Sequence, residues 1–96
     1  MKQLTAAERL ERIKTALGIS GSDFQNETLT LYISEVVEFL LDAGVQREVA
    51  ESEAAVGCIA IGVNDLWNYT SGGVRFSDYF KSRVVQLSLK RVNTDV

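Results

Sequence analysis

The chain has 96 residues, with ten Lys or Arg against thirteen Asp or Glu, a net charge of −3, no histidine, no proline and one cysteine. A length of this order fits one domain over residues 1–96 and buries only a limited share of its surface, so a partner adds stability that a small core lacks. Cys58 alone makes no internal disulfide, no cluster of His, Cys and carboxylates offers a zinc site, and the missing histidine removes the commonest general base and metal ligand.

The first helix is predicted over about 5–17. Thr5 with Glu8 three residues on has capping-box spacing, Leu10, Ile13 and Leu17 share one face, and Gly18 is a fitting stop. Residues 19–22 then form a tight connection.

The second helix is expected over 23–43, ending at Gly44. Leu29, Tyr32, Ile33, Val36, Val37, Leu40 and Leu41 span a broad apolar arc, while Glu27, Glu35, Glu38 and Asp42 cluster opposite with Leu31 among them. The acidic stripe reads either as a solvated face or as a surface kept negative; like charges at helical spacing repel by only ~0.2–0.5 kcal/mol per pair, so the stripe needs no functional reason to exist.

Residues 45–52 read as a connector with one helical turn over 47–50, and Ser52 as the cap of a third helix over 53–69. This helix is apolar nearly all round. Val56, Ile59, Val63, Leu66 and Trp67 form its large face; Gly57, Cys58, Ile61, Gly62, Asn64 and Asn68 form the other. Small residues on that second side admit close packing, either inside the subunit or between subunits. Cys58 reads as a core thiol, and Trp67 with Tyr69 as an aromatic plug in preference to a base-stacking platform.

Residues 70–76 form a loop with a double glycine. Ser77 caps a fourth helix over 77–91, with Phe80, Val84 and Leu87 as its main stripe and Val85, Leu89 and Val92 as a second, narrower one. The tail is expected to be loose in the isolated chain. The charge is uneven along the chain: residues 1–73 carry five cations and eleven anions, residues 74–96 five and two. The fold class is therefore all-α, a small four-helix bundle with a C-terminal tail. The segment 1–17 lacks the apolar core of a signal peptide and the run 56–63 is too short to span a bilayer, so a soluble protein made in the cytosol, with no membrane partner, is expected.

Enzyme chemistry finds no foothold. Ser71 and Ser77 have no histidine to activate them, and the short glycine motifs lack the Gly-Lys-Ser/Thr end of a phosphate loop. Lys81 and Arg83 lie on different helix faces, and the acidic body opposes adhesion to DNA.

The order of these elements resembles a known family. Leu17-Gly-Ile-Ser-Gly21, the helix end Phe39-Leu-Leu-Asp-Ala-Gly44, the segment Gly62-Val-Asn-Asp-Leu-Trp-Asn-Tyr69, the Ser71-Gly-Gly73 break and Ser77-Asp-Tyr-Phe-Lys-Ser-Arg-Val-Val-Gln-Leu87 together look like the small head–tail connector (adaptor, head-completion) proteins of tailed bacteriophages and prophages, over roughly residues 8–90. That resemblance implies a structural neck protein without catalysis or cofactor. Copies would form a homo-oligomeric ring, usually a dodecamer, under the portal protein after DNA packaging, extend the channel through which dsDNA passes unbound, and present a platform for a stopper or tail-completion protein. Purified copies could still be monomers. Glu27, Glu35, Glu38 and Asp42 are then candidates for a repulsive channel lining. Gly57, Ile61, Asn64, Asn68, Val85 and Leu89 are candidates for subunit contact, and Lys90, Arg91, Val92, Asn93, Thr94, Asp95 and Val96 for a portal-binding tail. The alternative is a small helical regulatory module that binds DNA or another protein, which the apolar third helix fits poorly as a recognition helix.

Overall fold

Helix ends are set where the residue chemistry requires. The computed structural model describes residues 2–19, 25–68 and 76–91. Thr5 Oγ1 accepts from the Glu8 N–H (3.1 Å) and the Glu8 carboxylate accepts from the Thr5 N–H (2.9 Å), which satisfies two of the free amides at the start of α1 (Ala6–Ala16). Gly18 stops it at φ +78°: its N–H reaches the Thr15 carbonyl and that of Ile19 the Lys14 carbonyl, the paired bonds of a Schellman motif. Gly44, at φ +98°, closes α2 (Asn26–Asp42) in the same way through the Leu41 and Leu40 carbonyls.

The start of α2 differs from the expected one. Its cap is Gln25, a non-glycine residue at φ +65° with no side-chain capping bond, and the expected first residue, Asp23, lies outside the described residues. The single turn α3 (Arg47–Ala50) occurs as predicted. The helix expected from residue 53 opens instead with a tight 3₁₀ turn (Glu53–Ala55) and becomes α-helical as α4 (Val56–Trp67). Ser52 causes this locally: its hydroxyl donates to the Val49 carbonyl and accepts from the Ala54 N–H, while the Glu53 N–H is taken by the Lys2 carbonyl. Helix α5 (Asp78–Ser88) is capped by Ser77 and stops three residues short of the expected end. The fold is all-α, with four main helices. Among the described residues there is no strand, only an isolated bridge between Gln3 and Ser52.

The apolar stripes meet around α4, which packs against α1, α2 and α5. Leu29, Ile33, Val36 and Leu40 of α2, Ile13 of α1, and Phe80, Val84 and Leu87 of α5 are buried against Cys58, Ile59, Val63 and Leu66. Burial also extends beyond the predicted stripes, to the 45–55 connector and to Leu4 and Lys14. Leu4 is held by a bond from its N–H to the Glu51 carbonyl, so the N-terminal segment straps the α3 turn. Lys14 is 1% exposed, its Nζ 3.7 Å from the exposed Glu11 carboxylate.

The two glycines of α4 have opposite roles. A Cβ on Gly62 would lie 2.7 Å from the Phe80 ring and 2.9 Å from a Val36 methyl; one on Gly57 would meet only the end of Arg83, at 3.5 Å. Gly62→Ala should therefore lower stability by about 1–2 kcal/mol, because overpacking exceeds the gain in helix propensity, whereas Gly57→Ala should raise it by about 0.5–1 kcal/mol. Urea unfolding of the two variants measures both signs. A second expectation concerns acid. Hydrogen bonds from Thr5 hold the Glu8 carboxyl below its usual value. A depressed folded value gives stability that is present above the unfolded value and lost as pH falls through the folded one. The difference in melting temperature between the wild type and Glu8→Gln should therefore be largest near neutrality and vanish in acid.

Candidate functional site

The groups that would carry chemistry are occupied structurally. Cys58 is buried, and desolvation pushes its thiol up to about 11, against a smaller opposing effect of Arg83. Asp65 joins two helices: its Oδ2 accepts from the Ser77 N–H (3.0 Å) and the Ser77 hydroxyl (2.8 Å), and that hydroxyl in turn accepts from the Phe80 N–H (3.1 Å). Among the described residues no group of His, Cys, Asp and Glu could hold a metal ion, and no helix is long and apolar enough to cross a membrane.

What remains is surface. Glu27, Glu35, Glu38 and Asp42 are all exposed, on an arc of roughly 80° along α2, with Leu31 exposed between them. Between this stripe and α4 lies an open groove of about 420 Å³, lined by Ser34, Glu35, Glu38, Phe39, Asp42, Leu66 and Phe76. Its apolar floor belongs to an aromatic cluster in which Phe39, Phe76 and Phe80 stack with centroids 4.6–5.5 Å apart. On the other flank of α2, Glu38 also borders a groove with Arg9 and Arg47, so the stripe has cations near one edge.

The second side of α4 divides. Cys58 and Gly62 are buried within the subunit, which decides for them the choice between internal and intersubunit packing; Gly57, Asn64 and Asn68 are exposed and Ile61 is partly so. Those four residues form a stripe about 60° wide, bordered by Tyr79 and by Arg83, whose guanidinium lies over the Tyr79 ring. Val85 and Leu89 do not join it. They are 60% and 75% exposed on the outer side of α5, opposite Phe80, Val84 and Leu87. Trp67 corrects another expectation: it is no buried plug but sits at the rim, 41% exposed, edge-on to Tyr32 at 6.0 Å, because α4 ends there and Leu66 takes the inward position. Tyr69 and the loop 70–75 lie outside the described residues, as do Val92, Asn93, Thr94, Asp95 and Val96. Lys90 and Arg91 are exposed, and Arg91 donates back to the Ser88 and Lys90 carbonyls.

Sequence reasoning missed the groove and the Asp65–Ser77 bridge. Phe39 falls beside the acidic stripe and outside the apolar arc, and Asp65 meets Ser77 only across a loop that no periodicity describes.

A family model described as "Phage gp6-like head-tail connector protein" matches residues 7–95. No curated protein and no solved structure matches the chain.

Replacing Asp65 by alanine should cost about 1–2 kcal/mol, since it strips the α5 cap of its acceptor. A double-mutant cycle with Ser77→Ala should show coupling above about 0.5 kcal/mol, as for residues in one hydrogen-bonded chain.

Proposed function

The chain belongs to the phage gp6-like head-tail connector family, and from that premise we propose that it assembles as a ring beneath the portal, prolongs the DNA channel and offers the docking platform for the next neck protein. The protein is a structural connector of the virion neck, its partners are portal and tail components, and it is not an enzyme.

Three surfaces left open by the described residues support the ring. A closed ring of identical copies uses head-to-tail contacts, so each copy needs two different faces. The outer Val85–Leu89 face of α5 is one. The α4 stripe with its neighbouring hollow, and the groove beside α2, lie elsewhere on the molecule. A conduit for DNA must also avoid holding phosphates, and the exposed carboxylates of α2 suit that need. Of the stripe, Glu27 and Glu38 lie farthest around α2 from Phe39 and are the residues assigned to the lumen, with dsDNA passing unbound. Of the tail candidates, Val92 to Val96 are assigned to the portal, and Lys90 and Arg91 stay with the end of α5.

Negative-stain images of the purified protein mixed with its portal test the reading. A ring on the portal is expected; portals that stay bare at high protein concentration would overturn it. A chain shortened to end at Arg91 keeps the core and should melt like the wild type, yet lose portal docking. Undiminished docking would remove the tail from the proposal.

A further inference from the structure

The groove beside α2 has a feature that a channel lining does not need. Its carboxylates, all on α2, border one side of an apolar floor of Phe39, Leu66 and Phe76. Around α2, Glu35 and Asp42 lie about 60–80° from Glu27, on the flank that borders Phe39. Among the described residues, neither carboxylate takes part in an ion pair.

The same chain carries the complementary shape and charge. Val85 and Leu89 project from the outer side of α5. Lys81 lies beside them and Lys90 and Arg91 follow at the helix end, where Arg91 folds back onto the Ser88 carbonyl. This is the basic end of a chain whose remainder is acidic. A copy cannot fill its own groove with this face. Phe76, on the groove floor, precedes α5, and Leu89 follows it, so the eleven residues of the helix hold the two about 16 Å apart.

We propose that the Val85–Leu89 face and basic end of α5 in one copy seat in the acid-flanked groove of the next. The inference rests on the ring reading above and names the two faces that build it. The occupant is a second copy because the charges are opposite and the two faces differ, which makes the contact heterologous and repeatable around a ring. Each exposed ion pair is weak, so Leu89 in the groove anchors the contact and the charges select its orientation.

Charge exchange tests it. One variant carries Glu35→Lys and Asp42→Lys; the other carries Lys81→Glu, Lys90→Glu and Arg91→Glu. All five sites are exposed, and circular dichroism verifies that both variants fold. Each alone should need at least about tenfold more protein to form rings on the purified portal. An equal mixture should recover ring formation, since alternating copies then join a wild-type helix end to a wild-type groove at one interface and a reversed end to a reversed groove at the next. Variants that each form rings as readily as the wild type, or a mixture that stays unassembled, would overturn this pairing while wild-type rings on the portal keep the ring reading intact. Bare portals with the wild type would remove both.

Discussion

The close approach of Phe80 and Val36 to Gly62 is the contact around which the helices are arranged. Helix α4 is apolar on nearly every side, so it must be covered by several neighbours at once. A side chain at Gly62 would hold α2 and α5 apart. Its absence lets both helices send large residues over the same turn of α4, and the Phe39–Phe76–Phe80 cluster closes over that junction. The Asp65–Ser77 bridge then fixes where α5 starts. Once the start and the inward residue Phe80 are fixed, helical geometry leaves no choice about Val85 and Leu89: they point outward. The exposed Val85–Leu89 face is thus a consequence of how the core is built.

Charge is distributed to the same end. The exposed carboxylates on α2 and the cations Lys81, Lys90 and Arg91 occupy different parts of one small molecule. At physiological salt, charges more than about 8 Å apart are largely screened. Such a division therefore acts only at contact, where it sets which face meets which. Among the described residues the ion pairs, Arg12–Glu53, Lys14–Glu11 and Arg47–Glu51, stay near the α1 and α3 end and include no carboxylate of the α2 stripe.

Much of this was legible in the residues. Thr5 with Glu8, Gly18, Gly44 and Ser77 mark helix ends by local chemistry, and each acts as its chemistry requires. The buried stripes of α2 and α5 follow from a 3.6-residue period. What the period cannot carry is contact across loops. Gly57 and Gly62 look alike in the sequence, yet one is exposed and the other is wedged between two helices, because only the arrangement of neighbours separates them. Trp67 looked like core from its wheel position, but α4 ends beneath it. The burial of Lys14 has no signature in a helix whose other charged residues are solvated, and the groove needed Phe39, Leu66 and Phe76 from three separate segments. The head-tail connector assignment lies on another level: it rests on the match over residues 7–95, since no residue here performs a reaction that would announce the function.

The proposed interface is weak by construction, and that has a consequence for assembly. One leucine and one valine in an open groove, with a few solvent-exposed ion pairs at ~0.2–1 kcal/mol each, fall well short of the ~1,200 Å² or more that stable pairs bury. Free copies would then associate poorly at cellular concentration. Tethering changes the arithmetic: copies held side by side by their tails on a portal meet at an effective concentration in the millimolar range, and the last copy closes two interfaces at once. A contact too feeble to join subunits in solution becomes sufficient on a template. A stronger seat would let rings or open filaments form away from the head, where a head-to-tail interface has nothing to close it. With the proposed pairing, modest affinity at the groove would confine assembly to the vertex where the portal sits.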